Sequence, residues 1–244
     1  MNTKKNVSLW ILYDFANSIV SIVFFLYFAQ WIVIDRGIAD IYFNLTFTIS
    51  AVLLLFSVPL TGTYLDKYLR RITGLRYSTI LTTIFYGLTA FFALTNKEIY
   101  ALIFFTLGLY FYLLSFTFYT PLLTDISKEN KRGVISGLGI GANYIGQIVG
   151  LLLVLPISNG SFSLFNSSPR AETLLPAVII FFVFSLPMLI FFKEPKKETG
   201  KLIFKNGIKE MIKETKLLLS FSGVGLFLLS YFLDLPFLLC ACSF

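Results

Sequence analysis

One carboxylate stands alone in a long apolar run. Between Asn6 and Ile34 the only charged residue is Asp14, within LYDFANSIVS at residues 12–21. Asn17, Ser18 and Ser21 follow it at i+3, i+4 and i+7, the spacing of one helical stripe. A carboxylate in a bilayer costs several kcal/mol unless it turns toward other helices or a wet cavity. Such a stripe can join helices through hydrogen bonds, or it can line a pathway in which Asp14 couples or gates. Spacing leaves both open. At roughly 1.5 Å per residue, Asp14 lies about 10 Å beyond Val7, short of the midplane. Trp10 and Tyr13 beside it have the character of interfacial anchors.

A second polar set sits in VISGLGIGANYIGQIVGLLLVLP, residues 134–156. Gly139, Asn143, Gly146, Gln147 and Gly150 share one helical face. Small residues let backbones approach closely and amides bond across helices. Either this face only packs, or Asn143 and Gln147 line a cavity beside a close seam. No strand precedes these glycines and Tyr144 breaks the pattern, so they form no dinucleotide loop. Further along, Asp66, Lys67, Arg70 and Arg71 cluster in one connection and Asp125, Lys128, Lys131 and Arg132 in another. Carboxylates flanked by basic residues at helix ends form contacts that break and re-form cheaply.

The elements that must carry these groups follow from composition. Of 244 residues, 57% are hydrophobic and 14% charged, with mean hydropathy +0.81. One core of this size cannot hide so much apolar surface, so the bilayer is the expected solvent. Spans need about 20 apolar residues and must satisfy their backbones internally, which favours helices. Uncharged windows predict seven helices, roughly 7–34, 43–65, 77–95, 100–122, 134–156, 173–192 and 217–239. The expected fold class is all-α, a polytopic membrane protein. Its expected parts are a six-helix bundle over 1–192, a basic linker over 193–216, and a seventh helix with an atypical tail over 217–244. Ile208, Met211, Ile212 and Thr215 suggest an amphipathic helix in that linker.

The chain contains no histidine. That argues against His-ligated metals and Ser-His or Cys-His catalysis, and no paired mid-membrane carboxylates suggest general acid–base work. No enzyme activity, cofactor or metal is expected, and the two cysteines, Cys240 and Cys242, offer no disulfide framework. The first hydrophobic run lacks a cleavage site and is expected to be a retained span. Positive charge falls on alternate connections: Lys4 and Lys5, then 66–76, 125–133 and 193–216, against only Arg36, Lys97 and Arg170 on the other side. This places the N-terminus in the cytoplasm. It is a topology signal, and nucleic acid is not expected as a partner.

Three segments resemble one family. GTYLDKYLRR, residues 62–71, is similar to the link between helices two and three of the major facilitator superfamily, although Leu69 replaces its usual glycine. DISKENKRGVISG, residues 125–137, resembles the link between helices four and five. WILYDFANS, residues 10–18, resembles the opening of the branch related to vacuolar amino-acid effluxers, and is the most specific of the three. Together they span residues 8 to 220 or so. The resemblance implies two six-helix halves around a midplane site, of which this chain would supply one half and about one further helix. It implies secondary active transport of a small polar solute, amino acids being the branch's class, in a cell or vacuolar membrane. Asp14, Asn17, Ser18, Asn143 and Gln147 would then line the pathway. Gly62, Asp66, Arg70, Arg71, Asp125 and Arg132 would form a cytoplasmic gate, Arg70 or Arg71 bridging Asp66 to Asp125. The remaining half is expected as a separately encoded partner, the chain being a truncated or split transporter. The competing expectation is a non-transporting membrane scaffold or assembly subunit.

Overall fold

The structure is a computed structural model. It describes the backbone of residues 3–68 and 70–194 and the side chains of 4–58 and 70–194. The linker beyond Glu194, the seventh helix and the side chains of Gly62 and Asp66 therefore lie outside the described residues.

All described elements are helical. Helix α1 (Thr3–Val23) continues through two π-helical turns, Phe24–Phe28 and Trp31–Asp35. Then follow α2 (Asp40–Tyr68), α3 (Arg71–Leu94), α4 (Glu98–Ile126), α5 (Glu129–Ser158), the single turn α6 (Pro169–Glu172) and α7 (Leu174–Phe191). Among the described residues, six spans are long and apolar enough to cross a membrane: Lys4–Asp35, Asp40–Val58, Arg71–Leu94, Glu98–Ile126, Glu129–Ser158 and Pro169–Phe191. Each matches one of the first six expected helices, because charged residues bracket every apolar window and mark where the chain can leave lipid.

Neighbours in the bundle run α5, α1, α7, α3, α4, α2, and α4 also touches α1 and α5. The first span is central, with 56% of its most apolar window buried against 11% for the second. Chain order alternates between two ends. At the end where the chain starts, the Asn6 side chain donates to the Lys193 carbonyl at 2.9 Å. At the opposite end Arg36 pairs with Glu98, and Arg170 with Asp35.

The π turns have a packing cause. No glycine or proline interrupts residues 7–35, so chain breakers do not explain the widening. Phe24, Phe28 and Trp31 are fully buried and Tyr27 nearly so. Phe24 stacks on Tyr86 at 4.2 Å and Phe28 packs on Phe105 at 4.7 Å. Fitting Phe24 and Phe28 against Tyr86 of α3 and Phe105 of α4 accounts for the local winding. π turns of this kind recur where side-chain packing overrides the regular ladder.

Candidate functional site

The seam between α1 and α5 is built on missing side chains. A Cβ added at Gly139 would sit 2.5 Å from a ring carbon of Trp10 and 3.4 Å from Oδ2 of Asp14. One at Gly146 would sit 2.5 Å from the Phe15 carbonyl oxygen and 3.0 Å from Cβ of Ser18. The two backbones therefore approach as closely as they can only at glycine. Asn143 lies between those glycines, one helical turn from Gly139, beside which Asp14 Oδ2 stands. Gln147 Nε2 donates to Asn143 Oδ1 at 2.8 Å. That bond engages the Asn143 carbonyl oxygen, so donation runs from Gln147 to Asn143 and the Asn143 NH2 remains a donor on the side of α5 that meets α1. The side chains of Asp14, Asn143 and Gln147 are half-buried.

Not every expected member of the stripe joins this cluster. The Ser18 hydroxyl donates to the Asp14 carbonyl at 2.7 Å and Ser21 to the Ser18 carbonyl at 3.1 Å. Both satisfy their hydroxyl hydrogens within α1, as short polar side chains in helices often do. Asn17 is fully buried, and neither amide atom has a hydrogen-bond partner among the described residues.

On its other face α1 meets α3 and α4 through aromatics. Trp10 and Tyr13 are buried, not interfacial, because α4 supplies a partner for the Trp10 indole and α3 one for the Tyr13 hydroxyl. Trp10 Nε1 donates to the Tyr119 carbonyl at 3.3 Å, and the Tyr119 hydroxyl returns a bond to the Trp10 carbonyl at 2.9 Å. Their rings stack at 4.7 Å. Tyr13 Oη lies 2.7 Å from Thr79 Oγ1. Sequence reasoning missed Tyr119 and Thr79 as neighbours of the polar stripe, since neither pattern nor charge distinguishes them from packing residues.

A second cluster gathers where the chain starts. Arg71 Nη1 lies 3.3 Å from Oδ2 of Asp125, each side chain 17% exposed, and also reaches the Pro121 carbonyl at 3.4 Å. Glu194 accepts the backbone N–H groups of Arg71 and Ile72 at 3.2 and 3.0 Å. A carboxylate is thus set on the first turn of α3, where free amides and the helix dipole favour negative charge. Arg76 Nε donates to the Leu189 carbonyl at 2.6 Å. Of the expected gate residues the structure brings Arg71 and Asp125 together. Arg70 is exposed, and Nε of half-buried Arg132 has no partner among the described residues. Glu194 was not anticipated.

The opposite end is tied by Glu172, fully buried yet satisfied. Its carboxylate accepts the Leu164 and Ser167 N–H groups at 2.5 and 2.7 Å and the Ser163 hydroxyl at 2.9 Å.

No family model matches the chain. It is 25% identical, over an alignment of 247 positions, to the uncharacterized MFS-type transporter YxiO of Bacillus subtilis (strain 168). That alignment covers 93% of this chain and 56% of the relative, so the chain spans about half the length of the curated relative it matches. The likeness is thus to a protein described as an MFS-type transporter, and the chain itself has six membrane-length helices among its described residues.

Proposed function

We propose that the chain is half of a secondary active transporter of the major facilitator type, moving a small polar solute by alternating access. The observation that carries this reading is the half-buried polar cluster at the α1–α5 seam, where Gln147 bonds Asn143 and Asp14 stands against the same glycine face. Uncompensated polar groups at that depth are costly and mark solute or ion pathways. The six described spans act as one rocking body, and a second body completes the solute site. Amino acids are the solute class that the resemblance of residues 10–18 suggests. The N-terminus faces the cytoplasm, as the basic connections argue. There the Arg71–Asp125 pair, with Asp66, Gly62, Arg70 and Arg132 nearby in sequence, acts as the gate that holds the closed state.

The test is uptake into proteoliposomes, with the chain reconstituted beside any separately encoded partner. Amino-acid uptake driven by a pH gradient is expected, and Asp14→Asn is expected to abolish the drive. Undiminished uptake by that variant removes Asp14 from coupling. A second reading is a non-transporting membrane scaffold or assembly subunit. It predicts no uptake under any partner condition, together with stable co-purification of a membrane protein.

A further inference from the structure

Arg76 is a charge inside a membrane-length span, and no described carboxylate meets it. It stands five residues into α3, about 7–8 Å of helix rise beyond Arg71. Ile80 and Ile84 follow it at i+4 and i+8, and both are exposed. Half-buried Arg76 therefore heads the stripe of α3 that faces lipid. Its Nε donates to the Leu189 carbonyl at 2.6 Å, one of the last carbonyls of α7, where no further helical turn supplies a donor. The described hydrogen bonds of its guanidinium engage Nε alone, so both Nη groups remain as donors. The described ion pairs engage Arg36, Arg71 and Arg170, and none includes Arg76. A guanidinium at that depth is costly without a counter-charge.

Two lysines gather at the same helix end. The Lys5 ammonium lies 4.8 Å from the centroid of the Phe191 ring. The next residue, Asn6, is buried and donates to the Lys193 carbonyl at 2.9 Å. That bond holds the start of α1 against the residues that follow α7. Lys5 and Lys193 are both exposed, and neither enters a described ion pair. Three cations thus converge on residues 189–193. The acid beside them, Glu194, is committed to the Arg71 and Ile72 N–H groups. Even counted in full, it leaves positive charge in excess.

A dissolved anion would match these cations but not the apolar stripe below Arg76. A zwitterionic lipid would cover the stripe but bring a cation of its own. One kind of molecule matches both. We propose that Arg76, Lys5 and Lys193 bind the phosphate of an anionic phospholipid, one acyl chain of which runs along Ile80 and Ile84. The planar guanidinium presents its Nη groups to the phosphate oxygens as a fork. The lysines add point charges at the membrane surface, as basic residues between spans do for anionic headgroups. The lipid site goes beyond the transporter reading and holds whether or not the chain transports.

The probe is dioleoyl phosphatidylglycerol against dioleoyl phosphatidylcholine, added in mixed micelles to the full chain in detergent. Thermal unfolding is followed by fluorescence-detected size exclusion. At phosphatidylglycerol ten times half-saturation, linkage predicts a Tm about 3–6 °C above that in phosphatidylcholine. The double variant Lys5→Gln/Arg76→Gln keeps a donor for the Leu189 carbonyl, so it is expected to fold and to lose most of that difference. Lys128→Gln/Lys131→Gln removes the same charge from exposed side chains at the same end and is expected to retain the difference. Should the Arg76 variant fail to give a monodisperse peak, Lys5→Gln/Lys193→Gln carries the test, with the half-saturating concentration expected to rise several-fold. Equal melting in the two lipids overturns the proposal. So does a difference lost equally in both double variants, which would mean diffuse attraction to a basic surface. Inorganic phosphate that raises Tm as far as the lipid also overturns it, since the acyl chain would then contribute nothing.

Discussion

Replacing Gly146 by alanine tests the seam on which the polar cluster is built. The new Cβ would lie 2.5 Å from the Phe15 carbonyl oxygen, whereas ordinary contact begins at 3.4 Å. The obstacle is backbone, so no rotamer change relieves it, and α1 and α5 must part by close to 1 Å. Overpacking of this kind costs about 1–3 kcal/mol. Alanine also gains about 0.8–1.0 kcal/mol over glycine from helix propensity, which would blur a single measurement. Gly141 on the same helix supplies the control, since its Cβ would meet nothing within 4 Å. The propensity gain cancels between the two variants and leaves the strain. At about 2–4 °C per kcal/mol, Gly146→Ala should melt about 2–12 °C below Gly141→Ala. Thermal unfolding in detergent reads this directly, with cysteine cross-linking between α1 and α5 as a check on helix separation. Equal melting of the two variants, or the opposite order, would refute the close backbone contact.

Three further outcomes follow from other parts of the bundle. Removing the Tyr119 hydroxyl in Tyr119→Phe leaves the stacked ring in place and loses its bond to the Trp10 carbonyl. A loss of about 1 kcal/mol in stability is expected, and an unchanged melting curve would show that the bond carries no weight. A double-mutant cycle between Arg71→Ala and Asp125→Ala should give a coupling of roughly 0.5–1 kcal/mol for this part-exposed pair; additive effects would mean the pair is incidental. In Glu172→Gln the carboxylate loses its charge while three donors still point at it. Limited proteolysis should then cut within residues 159–168 faster than in the wild type, and an unaltered cleavage rate would count against the carboxylate as the loop's anchor.

The spans were readable from sequence because lipid imposes a coarse rule that charge spacing reveals. Asp35, Arg36 and Asp40 mark one exit and Lys97 and Glu98 another, and the helices end there. Spacing likewise placed Asn143 and Gln147 on the glycine face of α5. It could not say that Asp14 lies opposite, since a helical stripe states a face and not a neighbour. The same limit hid the separate fates of Asn17 and Ser18, which share that stripe. Ser18 turns to its own backbone, whereas Asn17, one residue away, is fully buried with no amide partner among the described residues. Trp10 resembles a membrane anchor in isolation. It is buried because the Tyr119 carbonyl, more than a hundred positions away, accepts its indole hydrogen. The π turns escaped notice for a related reason: they arise from how Phe24 and Phe28 meet Tyr86 and Phe105, and no local signal encodes that encounter.

Water access along α5 tests the pathway most directly. Single cysteines at 143 and 147, in a background with Cys240 and Cys242 replaced, would be treated in liposomes with a charged, water-soluble thiol reagent. Ile145 and Ile148, exposed on the apolar faces of the same helix, serve as the lipid-facing controls. Labelling at 143 and 147 with none at 145 and 148 is the expected pattern. Labelling at 145 and 148 with silence at 143 and 147 would contradict it, and would turn the polar face of α5 into mere packing.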